Sequence, residues 1–389
     1  MKHRSVLAAL LALVAAALVG AQPSFAHPGH GQGQGKGNSP ALGHGRGHGV
    51  VFVQTNEPSG NHVVVFRRGP DGRLSAAGTY ATGGLGGIAA PGTESDHLAS
   101  QGSLVYDAGQ RMLIGVNAGS NTVYAFRVNG HRLKLQSVVD SGGQFPASVA
   151  VHGRLVYVLN SGGTGIVQGF WLTHFGLTPI AGSARSLGLA NGDPPNFLTA
   201  PGQVGFTPDG HELLVTTKAS TSSIEVFQVG SDGLLSATPI VNPSATPVPF
   251  AFTFTPSGRL ADGEAGTSSV TTYLVDAGGT LSDPRSASDG QVALCWILRV
   301  GDVYFVSNTG SNNLSSFSID ASGQPSLLNA IAASTNPGPI DLATSGGFLY
   351  AETGTNGTVD EFAVNGNGTL VPIGTVTGLP AGIEGIAAK

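Results

Sequence analysis

The sequence predicts an all-β fold: a seven-bladed β-propeller with four antiparallel strands per blade, closed by the C-terminal strand, which completes the first blade. Three observations predict it. One strand-like unit recurs seven times. Each unit has room for four strands separated by turn residues. The two chain ends supply complementary parts of a single unit.

The recurring unit is anchored on an aromatic residue in a strand-like run: VVVFRRG (63–69), VYAFRVN (123–129), IVQGFWL (166–172), SIEVFQV (223–229), VTTYLVD (270–276), LSSFSID (314–320) and VDEFAVN (359–365). The anchors Phe66, Phe126, Phe170, Phe227, Tyr273, Phe317 and Phe362 are separated by 60, 44, 57, 46, 44 and 45 residues. A period near 45 with two insertions is the spacing of propeller blades. Within residues 145–182, FPASVAV, RLVYVLN, IVQGFWL and LTPIAGS read as four strands, because β-branched and aromatic residues alternate between Gly, Asn and Asp turns. The first unit begins at a second strand (VVFVQTN, from Val50), and the C-terminal GIEGIAAK (382–389) reads as an innermost strand with nothing after it. Pairing the two closes the ring and removes an open sheet edge.

Before the first blade, Lys2, His3 and Arg4 precede an apolar run from Val6 to Val19, and Ser24-Phe25-Ala26 places small residues at a cleavage site. This pattern predicts a secretory signal peptide over residues 1–26, cut after Ala26. The run is short for a bilayer span, so no membrane insertion is expected. Residues 27–49 are Gly-rich and read as a disordered linker. Its His27, His30, His44 and His48 could alternatively bind divalent metal. The propeller then spans 50–389.

Composition narrows function. The 389 residues include 60 Gly and 23 Pro, 11% are charged, and the net charge is −5. That balance gives no overall basic field for nucleic acid. The lone Cys295 in VALCWILRV cannot form an internal disulfide and reads as a buried strand residue. Asn56, Asn117, Asn160 and Asn308 end second strands and read as turn residues.

Aligned on their following turns, Ser103, Ser148, Gln203, Ala251, Trp296, Asp341 and Gly385 share one level on the innermost strands. Val149, Val204, Ile297, Leu342 and Ile386 occupy the opposite face. The polar set is expected to line the central channel. The loops feeding these strands converge on one mouth, and the insertions at 81–97 and 184–200 enter it. Pro146, Pro201, Pro249 and Pro339 stand at the strand starts, where a missing N–H costs no ladder bond. His97, Glu384 and Asp341 are the candidate acid–base residues of this mouth, with Ser100, Gln101, Ser103, Gln144, Ser148, Asn196 and Gln203 as candidate substrate-binding residues. A solvated hydrogen-bond network with no catalysis is the alternative. No metal-ligand motif, phosphate loop or nucleophile triad is present, so no cofactor is expected.

The stretches LVYVLNSG, VQGFWL, LTPIAGS and PPNFLTAPGQVGFTPDGHELLVTTK, with SQGSLVYD and LIGVNAGSNTVYAFRV, resemble the lactonase-type seven-bladed propellers, which include 6-phosphogluconolactonase-like proteins and carboxymuconate cyclases, and in particular their secreted bacterial members. The resemblance covers about residues 50–389. It implies lactone opening or closing in the central channel without a cofactor, by His, Glu and Arg groups, a role it carries onto His97 alone. PPNFLTAPGQ puts Asn196 where a family histidine would stand, and no channel arginine is evident. The expected partner is a small-molecule lactone or another channel-mouth ligand, and the expected state is a secreted monomer. A non-catalytic propeller binding a small molecule, glycan or protein at the same mouth, around Phe145, Phe197 and Phe250, is the other reading.

Overall fold

A computed structural model describes residues 49–90 and 93–389. The leader and the Gly/His-rich segment therefore lie outside the described residues, except that Gly49, assigned to the linker, already belongs to the first strand, Gly49–Gln54. Seven antiparallel sheets follow one another around a ring. Blade 1 is built from Gly49–Gln54, His62–Arg68 and Leu74–Ala81, and its inner position is taken by Ile386–Ala388 from the other end of the chain. Val51, Phe52 and Val53 pair with Ala388, Ala387 and Ile386, which is the predicted closure.

The inner strands of blades 2 to 7 are Leu104–Asp107, Pro146–His152, Gln203–Phe206, Pro249–Phe254, Leu294–Val300 and Pro339–Ser345. All seven anchor aromatics lie on third strands and are buried. Second strands such as Leu155–Asn160 are buried throughout, because blades cover them on both sides. Outer strands such as Leu281–Ser288 alternate half-buried and exposed residues, because only one face is covered. Each interface between adjacent blades holds its own apolar cluster. Phe52, Tyr124 and Phe126 sit between blades 1 and 2, and Val51, Tyr350 and Ile386 between blades 7 and 1. Each such side chain contributes roughly 1.5–3 kcal/mol by leaving water. The outer strand of blade 3 departs from the expected run: it breaks into Gly176–Pro179 and Arg185–Ser186, since Pro179 has no N–H and Gly182 turns at positive φ.

The polar end of the ring is strained at recurring places. Ala99, Phe145, Val248 and Ala293, each just ahead of an inner strand or its lead-in, have φ of 57°, 55°, 67° and 60°. Left-handed backbone is unfavourable for these residues, most of all for β-branched Val248. Three of them turn a carbonyl toward the end of the second strand, where Ser161, Ala265 and Thr309 donate to Phe145, Val248 and Ala293 at 2.8, 2.9 and 3.1 Å. Bulges follow at Pro146/Ser148, Pro249/Ala251 and Leu294/Trp296.

The turn asparagines behave differently from expectation. Asn56 is left-handed, but Asn117, Asn160 and Asn308 are not, and all three are fully buried. They cross-link loops instead: Asn160 Nδ2 donates to Ser141 O at 3.0 Å, and Asn117 Oδ1 accepts from Asn61 and Thr82. Just before the third strand, the left-handed turn residues are Asn121, Ser222, Ser268 and Asn312.

Candidate functional site

An inner strand has no neighbour on its channel side, so its free N–H and C=O groups need partners. The segment Leu98–Ser103 supplies many of them. It crosses the channel from blade 2 and bonds to five other blades. Leu98 N–H donates to Glu384 Oε2 at 2.5 Å, on the lead-in to the inner strand of blade 1. Ser100 Oγ donates to Ala147 O at 2.8 Å, in blade 3, and Gln101 N–H to Gly202 O at 3.0 Å, beside blade 4. Across the channel, in blade 6, Gln101 takes both backbone groups of Ile297: Nε2 donates to its O at 3.2 Å and Oε1 accepts from its N–H at 3.1 Å. Trp296 Nε1 donates to Ser100 O at 3.0 Å. Asp341 of blade 7 accepts from Gly102 N–H at 3.5 Å.

The remaining channel-level residues do the same work. Gln203 holds Phe252 N–H at 2.6 Å and O at 3.2 Å, Ser148 Oγ donates to Gln101 O at 2.6 Å and accepts from Val204 N–H at 3.2 Å, and Ser103 Oγ donates to Glu384 O at 3.1 Å. The structure thus brings Ser100, Gln101, Ser103, Ser148, Gln203, Asp341 and Glu384 together around one plugged channel. Gln144 and Asn196 stand apart, exposed on the rim, where Asn196 Oδ1 accepts from Leu198 N–H at 3.0 Å.

Above the plug, the two insertions meet as a short parallel bridge between Ala90 and Asn196, with Ala90 N–H donating to Pro195 O at 2.8 Å and Phe197 N–H to Ala90 O at 2.9 Å. Lys218 pins both. Its Nζ donates to Ala99 O at 2.6 Å and to Phe197 O at 2.8 Å, and lies 5.4 and 4.9 Å from the ring centres of Phe197 and Phe250.

Around this lysine lies a buried acidic chain. Asp96, Glu384, Glu352 and Asp341 are at most 6% exposed. Burial raises Asp96 to about 6, opposed by the charge of Lys218 and by hydrogen bonds from Glu384 and Ala99. Burial and the Asp96 charge push Glu384 well above the carboxylate range, and the two carboxyls titrate as a pair. Burial raises Asp341 to about 7, and burial with the Asp341 charge raises Glu352 well above its usual value. Lys218 is lowered to about 8 by burial, opposed by Asp96, Cys295 and Glu384. Next to Asp96, half-buried His97 is pushed down by burial, and its Nδ1 has no partner. Its ring rests on Gly382, where a Cβ would come within 1.9 Å of it.

Sequence reasoning missed Asp96, Lys218 and Glu352. A signal existed for Lys218. Counted from the second-strand partner of each anchor aromatic, Lys218 aligns with Ala118, Ser161, Ala265, Thr309 and Gly354, all small, and with Asn56 in blade 1. In blade 7 the incoming loop packs on this position, where a Cβ at Gly354 would lie 1.8 Å from Ser95 O. A lysine with φ 47° at that position departs from the repeat. Among the described residues no three His, Cys, Asp or Glu side chains converge to hold a metal, and no helix is long and apolar enough to cross a membrane.

No protein-family model and no curated protein matches the chain. Solved structures do. A protein from Lactobacillus plantarum superposes with a TM-score of 0.69 at 19% identity, over 88% of this chain and 98% of that one. The periplasmic gluconolactonase of Pseudomonas aeruginosa gives 0.69 at 19%, over 88% and 99%. A Bacteroides uniformis protein assigned provisionally as a 6-phosphogluconolactonase gives 0.66 at 17%, over 88% and 99%. At these identities the likeness is one of architecture, and the chain has the seven-bladed propeller fold of gluconolactonase-like proteins.

Proposed function

We propose that the protein hydrolyses an uncharged lactone at the face where its two insertions meet, with His97 as general base. The unpartnered Nδ1 of His97 carries this reading. Burial pushes the imidazole toward its neutral form, against a hydrogen bond with the Thr93 backbone, and the unpartnered Nδ1 is the atom that would take a proton from a water admitted with the substrate. The hydroxide adds to the lactone carbonyl, the ring C–O bond breaks, and the imidazolium returns its proton to the departing alkoxide, which yields the hydroxy acid. Glu384 acts from behind by fixing Leu98, the residue after His97. Asp341 holds the plug at Gly102.

The charges favour a neutral substrate. Strand directions put Lys218 and Arg185 on this side of the ring, and both are committed: Lys218 to Ala99 and Phe197, Arg185 to the carbonyls of Leu235 and Ser236. Neither is left to grip a phosphate. The plugged channel favours a second reading, a non-catalytic propeller that binds its ligand on the rim, because Ser100, Gln101, Ser103 and Ser148 already have partners within the protein.

A lactone panel separates the two. Neutral aldonolactones are expected to turn over at least about tenfold faster than 6-phosphogluconolactone, and His97→Ala to lose about 10²–10⁴-fold. Turnover that His97→Ala retains would sink the assignment of the base; a blank panel would favour the binding reading. We further propose that the chain is exported. Expressed with its own leader, it should be recovered outside the cytoplasm with a mass that starts at His27; an intact Met1 terminus there would refute the cleavage.

A further inference from the structure

The ends of the inner strands opposite the insertions form a second face, and its charge is divided. On blades 1 and 2 it carries Arg67, Arg111, Arg127, Arg132, Lys134 and Lys389, five exposed and Arg127 half-buried, near one half-buried acid, Asp107; the nearby Arg73 is paired with Asp71 at 3.8 Å. Blades 4 to 6 carry the exposed Asp209, Asp232, Asp276, Asp283, Asp302 and Asp320 on the same face, of which Asp283 is bridged by Arg259 and Arg285 and Asp209 lies against His211. The hairpin turns of blade 7, Ser345-Gly346-Gly347 and Asn365-Gly366-Asn367-Gly368, are uncharged. A net charge of −5 conceals this separation.

The cations fall in rows set by strand register. In blade 2, Arg127 pairs with Met112, the neighbour of Arg111, on one side and with Lys134 on the other. In blade 1, Arg67 pairs with Val50, one position from Val51, which pairs with Ala388 beside Lys389. Successive strands stand about 4.8 Å apart, so each row offers a positive group at every strand or every second strand. Arg67 joins the rows through His131, with its guanidinium 2.7 Å from His131 Nε2. Desolvation depresses His131, with Arg67 and Arg132 adding to it, and depresses Lys389, with Arg111 adding to it.

We propose that this two-blade basic strip docks a linear acidic polysaccharide. A chain with a carboxylate on successive sugars can follow the rows and avoid the acidic half beside them. Guanidinium groups pair well with carboxylates. A planar anionic bilayer would meet both halves of the face at once. Single-stranded nucleic acid stacks successive bases on exposed aromatic faces; at these rows Tyr106 is half-buried with Lys389 Nζ 5.9 Å from its ring centre, which leaves Phe175, next to the His174 whose carbonyl Arg127 binds, as the exposed ring, too little for a base at every step.

Affinity electrophoresis of the full chain through polygalacturonate tests this, with oligo(dT) and phosphatidylglycerol vesicles as competing probes. Wild type is expected to be retarded at low salt. Arg67→Glu/Arg132→Glu and Arg111→Glu/Lys389→Glu should each lose at least about tenfold in affinity, with a salt slope smaller by about two. Arg285→Glu, on the acidic half, should bind as wild type. No retardation by polygalacturonate, equal binding by the row variants, or tighter binding of oligo(dT) or vesicles would each overturn the proposal. Thermal melts of the four proteins, expected to coincide because the altered positions are on the surface, separate lost binding from lost folding.

Discussion

Lys218 shows how much one substitution in a repeat can decide. A fully buried ammonium is tolerable only with charge and acceptors at hand, and here Asp96, two carbonyls and two aromatic faces provide them. Removing the lysine alone leaves Asp96 buried beside Glu384 without its counter-charge. Lys218→Met is therefore expected to cost about 3–5 kcal/mol in urea unfolding, and Lys218→Met/Asp96→Asn to recover most of it. A single variant within about 1 kcal/mol of wild type would show that the pair adds nothing to stability. The same residue was open to sequence reading only as a charged residue at a position most blades fill with a small one. Its partner Asp96 carries no local mark, because the groups that face it, Lys218 and Glu384, lie far away in the sequence.

At the scale of the element, the inner strand is the informative unit. Its location was legible from the proline-started runs, and its polar residues were correctly grouped at one level. What they do was not legible. Alternation says which side chains share a face, but a propeller's inner strand turns an edge, not a face, toward the axis. Ser148, Gln101 and Gln203 are therefore engaged with backbone groups of other blades. Gln101→Ala should uncouple blade 2 from blade 6 by leaving Ile297 N–H and C=O without partners, at a cost of about 2–4 kcal/mol. The change is readable in the urea transition followed by fluorescence of Trp296, whose indole N–H bonds Ser100. An unchanged midpoint would mean that solvent replaces the amide freely, and that the channel is open enough for a ligand.

For the whole molecule, buried acids make stability depend on pH in an unusual direction. Asp341 lies at about 7 in the fold against 3.8, and Asp96 at about 6 against 3.8. The folded state thus holds these protons more tightly than the unfolded chain. Their contribution is complete below about pH 4 and is lost as pH rises through 6 and 7. Lys218 acts in the opposite sense: at about 8 against 10.5 it opposes folding below 8, and that opposition is relieved between 8 and 10.5. Unfolding free energy is expected to fall by on the order of 3 kcal/mol from pH 5 to pH 8, and Asp341→Asn to flatten much of the fall. A profile that rises over this interval would contradict the protonation states assigned to the channel.

The sequence by itself determined the blade count, the strand order, the closure of blade 1 by residues near 386 and the convergence of both insertions on one mouth. These follow from period, alternation and turn chemistry, which are local and repeat seven times. Only the tertiary structure decided that Leu98–Ser103 fills the channel, that Asp96, Lys218, Glu352 and Glu384 form one buried network, and that the cations of blades 1 and 2 gather on one half of the opposite face. Each of these is a meeting of residues from different blades, and such meetings depend on ring geometry that no single repeat encodes.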